Sequence, residues 1–248
     1  MQINPVNNTN NCSFKTWHRE VFAKSYNLKS HRLLYRNDTN FFRDRDLWVK
    51  LLNFFIEKFQ NIPKVNVYHF GCSDGSEPLS LIMYFLSNTT KAIQEKFLPV
   101  KALDIDKEAI NRINTKFPYK ITDIEINRIN DYTENNFNKF FKNIPSTDNY
   151  KADDILYSNI DAKLGNIKTD YKNIEKNNSI VFARNFWPYI ENPKDRQIIL
   201  YNLANHLESN SYLVIGEYDI RGSQWTIEDQ LRKAGFQKTS IRNLYEKI

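Results

Sequence analysis

The chain has 248 residues, 41% of them hydrophobic and 14% aromatic, which is enough to bury a full core and to build one main α/β domain. Its formal net charge of +6 favours acidic partners, but the lysines and arginines are scattered along the chain, so nucleic-acid binding is not expected. The two cysteines lack a disulfide-framework spacing, no apolar run is long enough to cross a bilayer, and the polar opening has no signal-peptide core, so we expect a cytoplasmic protein without membrane insertion.

Residues 1–60 are predicted to form an N-terminal helical segment. Apolar and aromatic side chains recur at helical spacing between residues 14 and 22, and a strongly apolar run between residues 47 and 59 predicts a second helix just before the first strand. A polar loop with two aromatic residues, 37–43, separates the two predicted helices.

From residue 61 onward, strand and helix patterns alternate, which predicts a doubly wound, mostly parallel sheet extending to residue 248. The stretch 119–165 interrupts the alternation and is too long for a plain loop, so we predict a small subdomain there. After Gly235 the chain is expected to return as a hairpin. The predicted strands lie near 65–70, 98–103, 179–183 and 211–216, and the predicted helices near 78–95, 106–116 and 194–208.

The first strand runs into a glycine turn and then into a helix start. Gly71 and Gly75 allow the backbone to turn and to approach a ligand closely, and Pro78 suits the first turn of a helix. The next strand ends in Asp104, whose carboxylate can accept both ribose hydroxyl protons. The combination predicts an adenosine-containing ligand. The alternative is a surface turn that contains glycines by chance.

The turn also indicates which adenosine ligand is bound. It has neither the G-x-G-x-x-G pattern that holds a pyrophosphate nor the Gly-Lys-Ser/Thr of nucleotide triphosphatases. Asp74 and Glu77 place negative charge where a phosphate would be repelled and a cation favoured. S-adenosylmethionine, with its sulfonium and ammonium groups, fits better. The four histidines are far apart and show no metal-ligand spacing, so no metal site is predicted.

A third polar cluster follows the strand predicted at 179–183. Arg184, Asn185 and Trp187 come directly after it, and the carboxyl ends of parallel strands face the ligand crevice. The alternative is a capped strand end, with Arg184 in a salt bridge and Trp187 covering the core.

Taken in order, four segments resemble the motifs of the chemotaxis receptor methyltransferase (CheR-type) family: NDTNFFR at 37–43, GCSDGSEPLS at 71–80, LDID at 103–106 and RNFWPY at 184–189. LVIGE at 213–217 is similar to the family's strand before its Gly-x-Ser-Glu tail. The resemblance implies a class I, Rossmann-like, seven-stranded methyltransferase fold. It also implies S-adenosylmethionine as methyl donor, S-adenosylhomocysteine as product and protein glutamate side chains as acceptors.

The resemblance further implies roles for residues of the first three motifs. Asn37, Thr39 and Arg43 would contact the methionine end of S-adenosylmethionine. Glu77 would bind its amino group, and Asp104 its ribose. The backbone at the glycine turn would pass close beside the ligand.

The remaining implied site residues lie further along the chain. Asn166 and Ile167 stand where the family has an Asn-Leu pair and would lie beside the adenine. Arg184 and Asn185 would complete the pocket, and Tyr189 matches a tyrosine near the transferred methyl group.

The chemistry that this implies needs no histidine base and no metal. A glutamate side chain ordinarily has a pKa of about 4.3 and is already ionised at neutral pH, so attack on a sulfonium methyl requires alignment rather than proton removal. Arg43 and Arg184 are then candidate carboxylate guides, one for the cofactor and the other for the acceptor.

Several departures from the family pattern leave the acceptor open. Ser76 stands where a second glutamate is common and Leu79 where an aromatic is usual, and the helical region before Asn37 is shorter than in the family. The stretch 119–165 sits where family members carry a β-subdomain for receptor tethering. We expect a monomer that acts on an acidic, chemoreceptor-like protein. The alternatives are a small-molecule acceptor and a cofactor-binding module without turnover.

Overall fold

The structure is a computed structural model of the protein, and it describes residues 19–20, 25–27, 32–35, 38–190, 192–221 and 227–248. Its strands are β1 (Arg19–Glu20), β2 (Ser25–Asn27), β3 (Arg32–Tyr35), β4 (Asp38–Thr39), β5 (Asn66–Phe70), β6 (Val100–Asp104), β7 (Tyr119–Lys120), β8 (Phe141–Asn143), β9 (Asn149–Ala152), β10 (Ile160–Leu164), β11 (Ser179–Ala183), β12 (Tyr212–Val214), β13 (Phe236–Lys238) and β14 (Leu244–Lys247).

The helices alternate with these strands over most of the chain. They are α1 (Arg45–Lys58), α2 (Ser76–Asn88), α3 (Lys91–Phe97), α4 (Lys107–Asn114), α5 (Asp123–Tyr132), α6 (Phe137–Phe140), α7 (Asp154–Tyr157), α8 (Ile167–Asp170), α9 (Pro193–His206), α10 (Glu217–Arg221) and α11 (Ile227–Ala234). Short 3-10 turns span Tyr171–Asn173 and Trp187–Tyr189. None of these described helices combines the length and apolar character that crossing a membrane requires.

A seven-stranded sheet in the order β10-β6-β5-β11-β12-β14-β13 forms the centre of the fold. The first five strands are parallel to one another, and β14 runs antiparallel to both of its neighbours. This confirms the predicted doubly wound, mostly parallel sheet. The predicted C-terminal hairpin is the antiparallel pair of β13 and β14.

Two cores cover the opposite faces of this sheet because successive side chains of a strand point to opposite sides. Val67 of β5 and Phe182 of β11 pack in a cluster with side chains of α1 and α2. Their neighbours Tyr68 and Val181 pack in a second cluster with side chains of α9 and α11. Burial on both faces explains why these strands read as continuous apolar runs.

The structure corrects the prediction that residues 1–60 form a helical segment. The described residues before Asn40 are short strands, with β1 paired to β4 and β2 paired to β3, both antiparallel. A described loop at 40–44 leads into α1, and the other residues before Asp38 lie outside the described residues. Pairing of such short strands depends on the partner across the ladder, which the spacing of side chains within one segment does not report. The helix predicted at 47–59 is confirmed as α1.

The stretch 119–152, here called the insert, carries its own antiparallel three-stranded sheet in the order β7-β9-β8, together with α5 and α6. The predicted boundary at 165 was wrong, because β10 belongs to the main sheet, where it pairs with β6. This strand lies at the edge of the sheet and has no fully buried residue, so its sequence lacks the apolar run of the central strands. The helix predicted at 78–95 is two helices, α2 and α3.

Candidate functional site

Several of the predicted site residues lie at the edge of the sheet where the parallel strands end. Phe70 pairs with Leu103 on one side and with Ala183 on the other, so the chain segments that follow β5, β6 and β11 emerge side by side. On the outer side, Asp104 pairs with Leu164, and Gly165 N–H donates to the Asp104 carbonyl at 2.9 Å. The glycine turn, Asp104, Asn166 and Arg184 therefore lie along one edge.

The glycine turn after β5 is tightly packed. Gly71 has a φ of +68°, and a Cβ added there would lie 2.9 Å from Cδ1 of Phe186. Gly75 has a φ of +88°, and a Cβ there would lie 3.1 Å from Cγ1 of Ile113. Both positions therefore require glycine, one for its approach to the loop after β11 and the other for its approach to α4.

Asp104 is fixed by backbone donors and keeps spare acceptor capacity. Its Oδ2 accepts Ser73 N–H at 2.7 Å and its Oδ1 accepts Asp106 N–H at 2.9 Å. Burial raises the pKa of Asp104, while these two N–H donors favour the ionised form. The backbone of Ile105 adds a third favourable contact, and because a carboxylate offers about four lone-pair sites, some acceptor capacity remains for a hydroxyl donor.

Glu77 lies at the centre of a buried ionic cluster that sequence analysis did not foresee. Its Oε1 accepts Arg184 Nη1 at 2.7 Å and lies 3.1 Å from His69 Nε2. Its Oε2 accepts Arg43 Nη2 at 3.0 Å. Arg184 Nη2 donates to Asp44 Oδ2 at 2.6 Å. We call these five residues the Glu77 cluster.

Glu77 and Arg184 are ionised although both side chains are enclosed. Burial opposes the charge of Glu77, but Arg184, the His69 hydrogen bond and Arg43 together hold the pKa of Glu77 far below its usual range. Burial likewise opposes the charge of Arg184, yet Glu77 and Asp44 raise the pKa of Arg184. The expectation that Asp74 and Glu77 supply uncompensated negative charge is wrong for Glu77, which two arginines neutralise.

The segment after β11 shows both features of a capped strand end, which was the alternative to a ligand site: Arg184 is in a salt bridge and Trp187 covers the core. Arg184 makes two ion pairs, and its side chain is completely enclosed. Trp187 is buried in the core and its Nε1 donates to the Ala183 carbonyl at 2.7 Å. Because both terminal nitrogens of Arg184 are engaged, this geometry does not present Arg184 to an acceptor.

Asp219 holds the same segment in place. Its Oδ2 accepts Asn185 N–H at 2.6 Å and Gly216 N–H at 2.7 Å, and its Oδ1 accepts Trp187 N–H at 3.2 Å. Asn185 adopts a φ of +62°, and its Oδ1 accepts Tyr218 N–H at 3.1 Å. A Cβ on Gly216 would lie 2.1 Å from this oxygen. The buried carboxylate thus ties the loop after β11 to the loop after β12.

The predicted adenine-side residues follow β10. Asn166 is exposed and caps α8, with its Oδ1 accepting Lys168 N–H at 3.0 Å. Ile167 is buried. Their position beside Asp104 follows from the pairing of β10 with β6.

Thr39 and Tyr189 are the remaining predicted site residues that the structure describes. Asn37 lies outside the described residues, whereas Thr39 is buried at the end of β4. Tyr189 is half-buried in the turn after β11, with its ring centroid 6.3 Å from that of Tyr218.

Sequence analysis missed three charged or titratable residues of this region. His69 was considered only as a metal ligand, although a histidine inside a buried strand needs a polar partner. Asp44 immediately follows Arg43, and Asp219 follows the end of β12 at the same edge as the other residues. A search for acids near strand ends would have found Asp219, but nothing in the sequence pairs Asp44 with Arg184.

The family model described as CheR methyltransferase, SAM binding domain, matches residues 37–232. The chain belongs to this family. S-adenosylmethionine is therefore the cofactor, and the resemblance predicted from the motifs is confirmed. The search of curated proteins gave no sequence match.

Several solved structures of methyltransferases are similar to the chain. The N-methyltransferase NodS from Bradyrhizobium japonicum is 10% identical with a TM-score of 0.41, and the match covers 82% of this chain and 98% of NodS. The magnesium protoporphyrin IX methyltransferase ChlM from Synechocystis, with bound SAM, is 11% identical with a TM-score of 0.42 and coverages of 81% and 77%. The plantazolicin methyltransferase BamL is 15% identical with a TM-score of 0.38; the match covers 69% of this chain and only 44% of BamL.

The polar groups at the strand tips fit this cofactor. S-adenosylmethionine offers a ribose diol, which can donate to Asp104, and a zwitterionic amino acid end, whose two charges match those of the Arg43–Glu77 ion pair. Within the described residues, Ser73 Oγ and Asn185 Nδ2 are buried without a hydrogen-bond partner. Buried polar atoms are normally satisfied, so these two atoms are available to a polar ligand at this edge.

Replacing Gly71 by alanine should lower the free energy of unfolding by about 2–4 kcal/mol, because the change combines a left-handed backbone with a steric clash against Phe186. Gly235→Ala is the matched control. Gly235 has a φ of +98°, but the nearest atom to its added Cβ is Lys247 Nζ at 3.7 Å. Its cost should be about 1 kcal/mol in urea unfolding. Equal costs for the two variants would contradict the packing described for Gly71.

Asp219 should make stability depend on pH near neutrality. Burial raises its pKa to about 7, although three N–H donors and Arg184 act to lower it. The unfolded value is about 3.9, so between roughly pH 4 and 7 the folded state holds a proton that the unfolded state has lost. The free energy of unfolding should therefore fall as pH rises through that window.

The variant Asp219→Asn lacks this titration. Its stability deficit relative to the wild type should shrink by up to about 1.4 kcal/mol per pH unit between pH 5 and 7, as measured by urea unfolding at each pH. A deficit that stays constant or grows over this range would refute the assignment.

Proposed function

We propose that this methyltransferase transfers the methyl group of S-adenosylmethionine to side-chain carboxylates of protein glutamates. The observation that carries the proposal is the CheR SAM-binding-domain match over residues 37–232, within which the Arg43–Glu77 ion pair and Asp104 lie along one edge of the sheet. The net charge of +6 supports an acidic protein as the acceptor.

The proposed cofactor site has a methionine end and a ribose end. Arg43 binds the α-carboxylate and Glu77 the α-ammonium group, and the family resemblance adds Asn37 and Thr39 as further contacts of the methionine end. Because Arg43 and Glu77 are already paired at 3.0 Å, their opposite charges are arranged in advance for a zwitterion. Asp104 accepts the two ribose hydroxyls.

The remaining contacts of the proposed cofactor site come from residues that follow the ends of the parallel strands. Asn166 and Ile167 lie beside the adenine, and Asn185 donates through the Nδ2 that lacks a partner among the described residues. Gly71 lets the backbone approach the ligand. Bound S-adenosylmethionine supplies an electrophilic methyl group on a sulfonium.

The role of the protein in the proposed reaction is alignment. A glutamate acceptor is ionised at neutral pH, so no side chain has to remove a proton. Tyr189 orients the acceptor from a turn that Trp187 and Asp219 hold rigidly. Arg184 acts as a positioning residue, because its terminal nitrogens already hold Glu77 and Asp44.

Incubation with methyl-tritiated S-adenosylmethionine and acidic candidate proteins should transfer label as a methyl ester that alkali releases as methanol. The same acceptors with their glutamates replaced by glutamine are the control and should stay unlabelled. Alkali-stable label, or label that appears only in small molecules of a metabolite extract, would overturn the proposal.

Asp104→Asn should weaken binding of S-adenosylhomocysteine at least tenfold in a calorimetric titration, because hydrogen bonds from the ribose to a charged acceptor are lost. The matched control is Asp106→Asn. Asp106 caps α4 by accepting Glu108 N–H at 2.9 Å, and asparagine caps a helix equally well, so affinity should change less than threefold. Equal losses in both variants would count against the ribose role of Asp104.

A further inference from the structure

The loop that carries Arg43 and Asp44, residues 40–45, is strained. Phe42 has a φ of +47° and Asp44 a φ of +62°, and neither residue is glycine. Such conformations cost on the order of 1–3 kcal/mol each and persist only where the surroundings over-determine them. The contacts that hold this loop therefore decide whether Arg43 and Asp44 reach the Glu77 cluster.

Two buried side chains of α5, in the insert, hydrogen-bond to this loop. Glu125 Oε1 accepts Phe41 N–H at 3.3 Å, and Arg128 Nη1 donates to Asn40 Oδ1 at 3.2 Å. Glu125 is 3% exposed and Arg128 7% exposed. Burying two charged side chains is costly, so the hydrogen bonds that they make with the loop have to offset part of that cost.

Glu125 also fixes the start of its own helix. Its Oε2 accepts Thr122 N–H at 3.1 Å, while Thr122 Oγ1 accepts Glu125 N–H at 3.3 Å, which together form a capping box. One carboxylate thus joins the first turn of α5 to Phe41. A shift of α5 would be transmitted directly to the loop.

Aromatic side chains of the loop also pack against the insert. The Phe41 ring meets Tyr119 of β7 edge-on at 5.4 Å and Phe141 of β8 at 5.2 Å. The Phe42 ring stacks on Tyr132 of α5 at 4.7 Å. Phe41 and Phe42 are both fully buried.

The C-terminal end of the loop, at Arg45, also contacts α5. Arg45 forms an ion pair with Asp131, and the Tyr132 hydroxyl donates to the Arg45 carbonyl. The main domain contributes Ser80, whose Oγ accepts Phe42 N–H at 2.9 Å. The loop is therefore clamped between the insert and α2.

We propose that Glu125 and Arg128 are positioning residues for the cofactor, through which the insert holds the 40–45 loop in the geometry that delivers Arg43 and Asp44 to the Glu77 cluster. The inference rests on the proposed cofactor role of Arg43. It assigns the insert a part in building the cofactor site, in addition to any part it plays in meeting a partner. By linkage, cofactor binding must stabilise α5 as much as α5 stabilises cofactor binding.

The first test compares three variants in a calorimetric titration with S-adenosylhomocysteine, each checked by thermal unfolding to be folded at the titration temperature. Arg128→Met should weaken binding roughly tenfold, which corresponds to about 1.4 kcal/mol. Arg128→Lys keeps a donor for Asn40 and should restore most of the affinity. Lys142→Met removes an exposed lysine of β8 in the same insert and should leave affinity within threefold. Wild-type affinity in folded Arg128→Met would overturn the proposal.

Glu125→Gln tests the second contact. Glutamine can still serve in the capping box, but its amide nitrogen then faces Phe41 N–H, so the helix cap is kept and the loop contact is lost. Affinity for S-adenosylhomocysteine should fall several-fold while the helicity measured by circular dichroism is retained. Unchanged affinity with the cap retained would contradict the role of Glu125.

Hydrogen exchange on the wild-type protein provides a readout that does not depend on any variant folding. Saturating S-adenosylhomocysteine should slow amide exchange in residues 40–45 and in α5, although the proposed ligand contacts include no residue of α5. Protection confined to the strand-tip segments would overturn the inference and leave the proposed function intact. A wild-type protein that gives neither heat nor protection would overturn both.

Discussion

The buried ion pair between Glu77 and Arg184 is the interaction on which the site depends. Two charges taken out of water are stable only when their geometry is good and their remaining hydrogen-bonding capacity is used. Here Arg43 and His69 add contacts to Glu77, and Asp44 adds one to Arg184, whose Nε is buried without a partner among the described residues. The pair therefore joins β5, α2, the tip of β11 and the 40–45 loop, and each segment is held in place by the others.

This arrangement makes the proposed methionine pocket part of the scaffold. The charges proposed to bind a zwitterionic ligand are the ones that hold the loop against the sheet, so the proposal links ligand binding to loop position. The insert enters the same network from the other side through Glu125 and Arg128. Asp219 holds the loop after β11 in place in a similar way, but it accepts hydrogen bonds from backbone N–H groups instead of pairing with arginines.

Several parts of the site could be predicted because they depend on local rules. The glycine turn after β5 and Asp104 at the end of β6 follow from the rule that parallel strands present their carboxyl ends at one edge. The strand β10 escaped prediction because an edge strand needs no continuous apolar run. The short strands before α1 escaped because a partner segment, and not internal periodicity, defines them.

The sequence by itself determined the parallel strands at the centre of the main sheet, the glycine turn, the acid at the end of β6 and, through motif order, the family. Those features depend on residues close together in the chain or on the period of the strands. The pairing of Asp44 with Arg184, the neutralisation of Glu77 and the clamp that α5 places on the 40–45 loop were decided only by the tertiary structure. They join side chains that lie far apart in sequence, and the free energy of burying a charge depends on which partner the fold brings within hydrogen-bond distance.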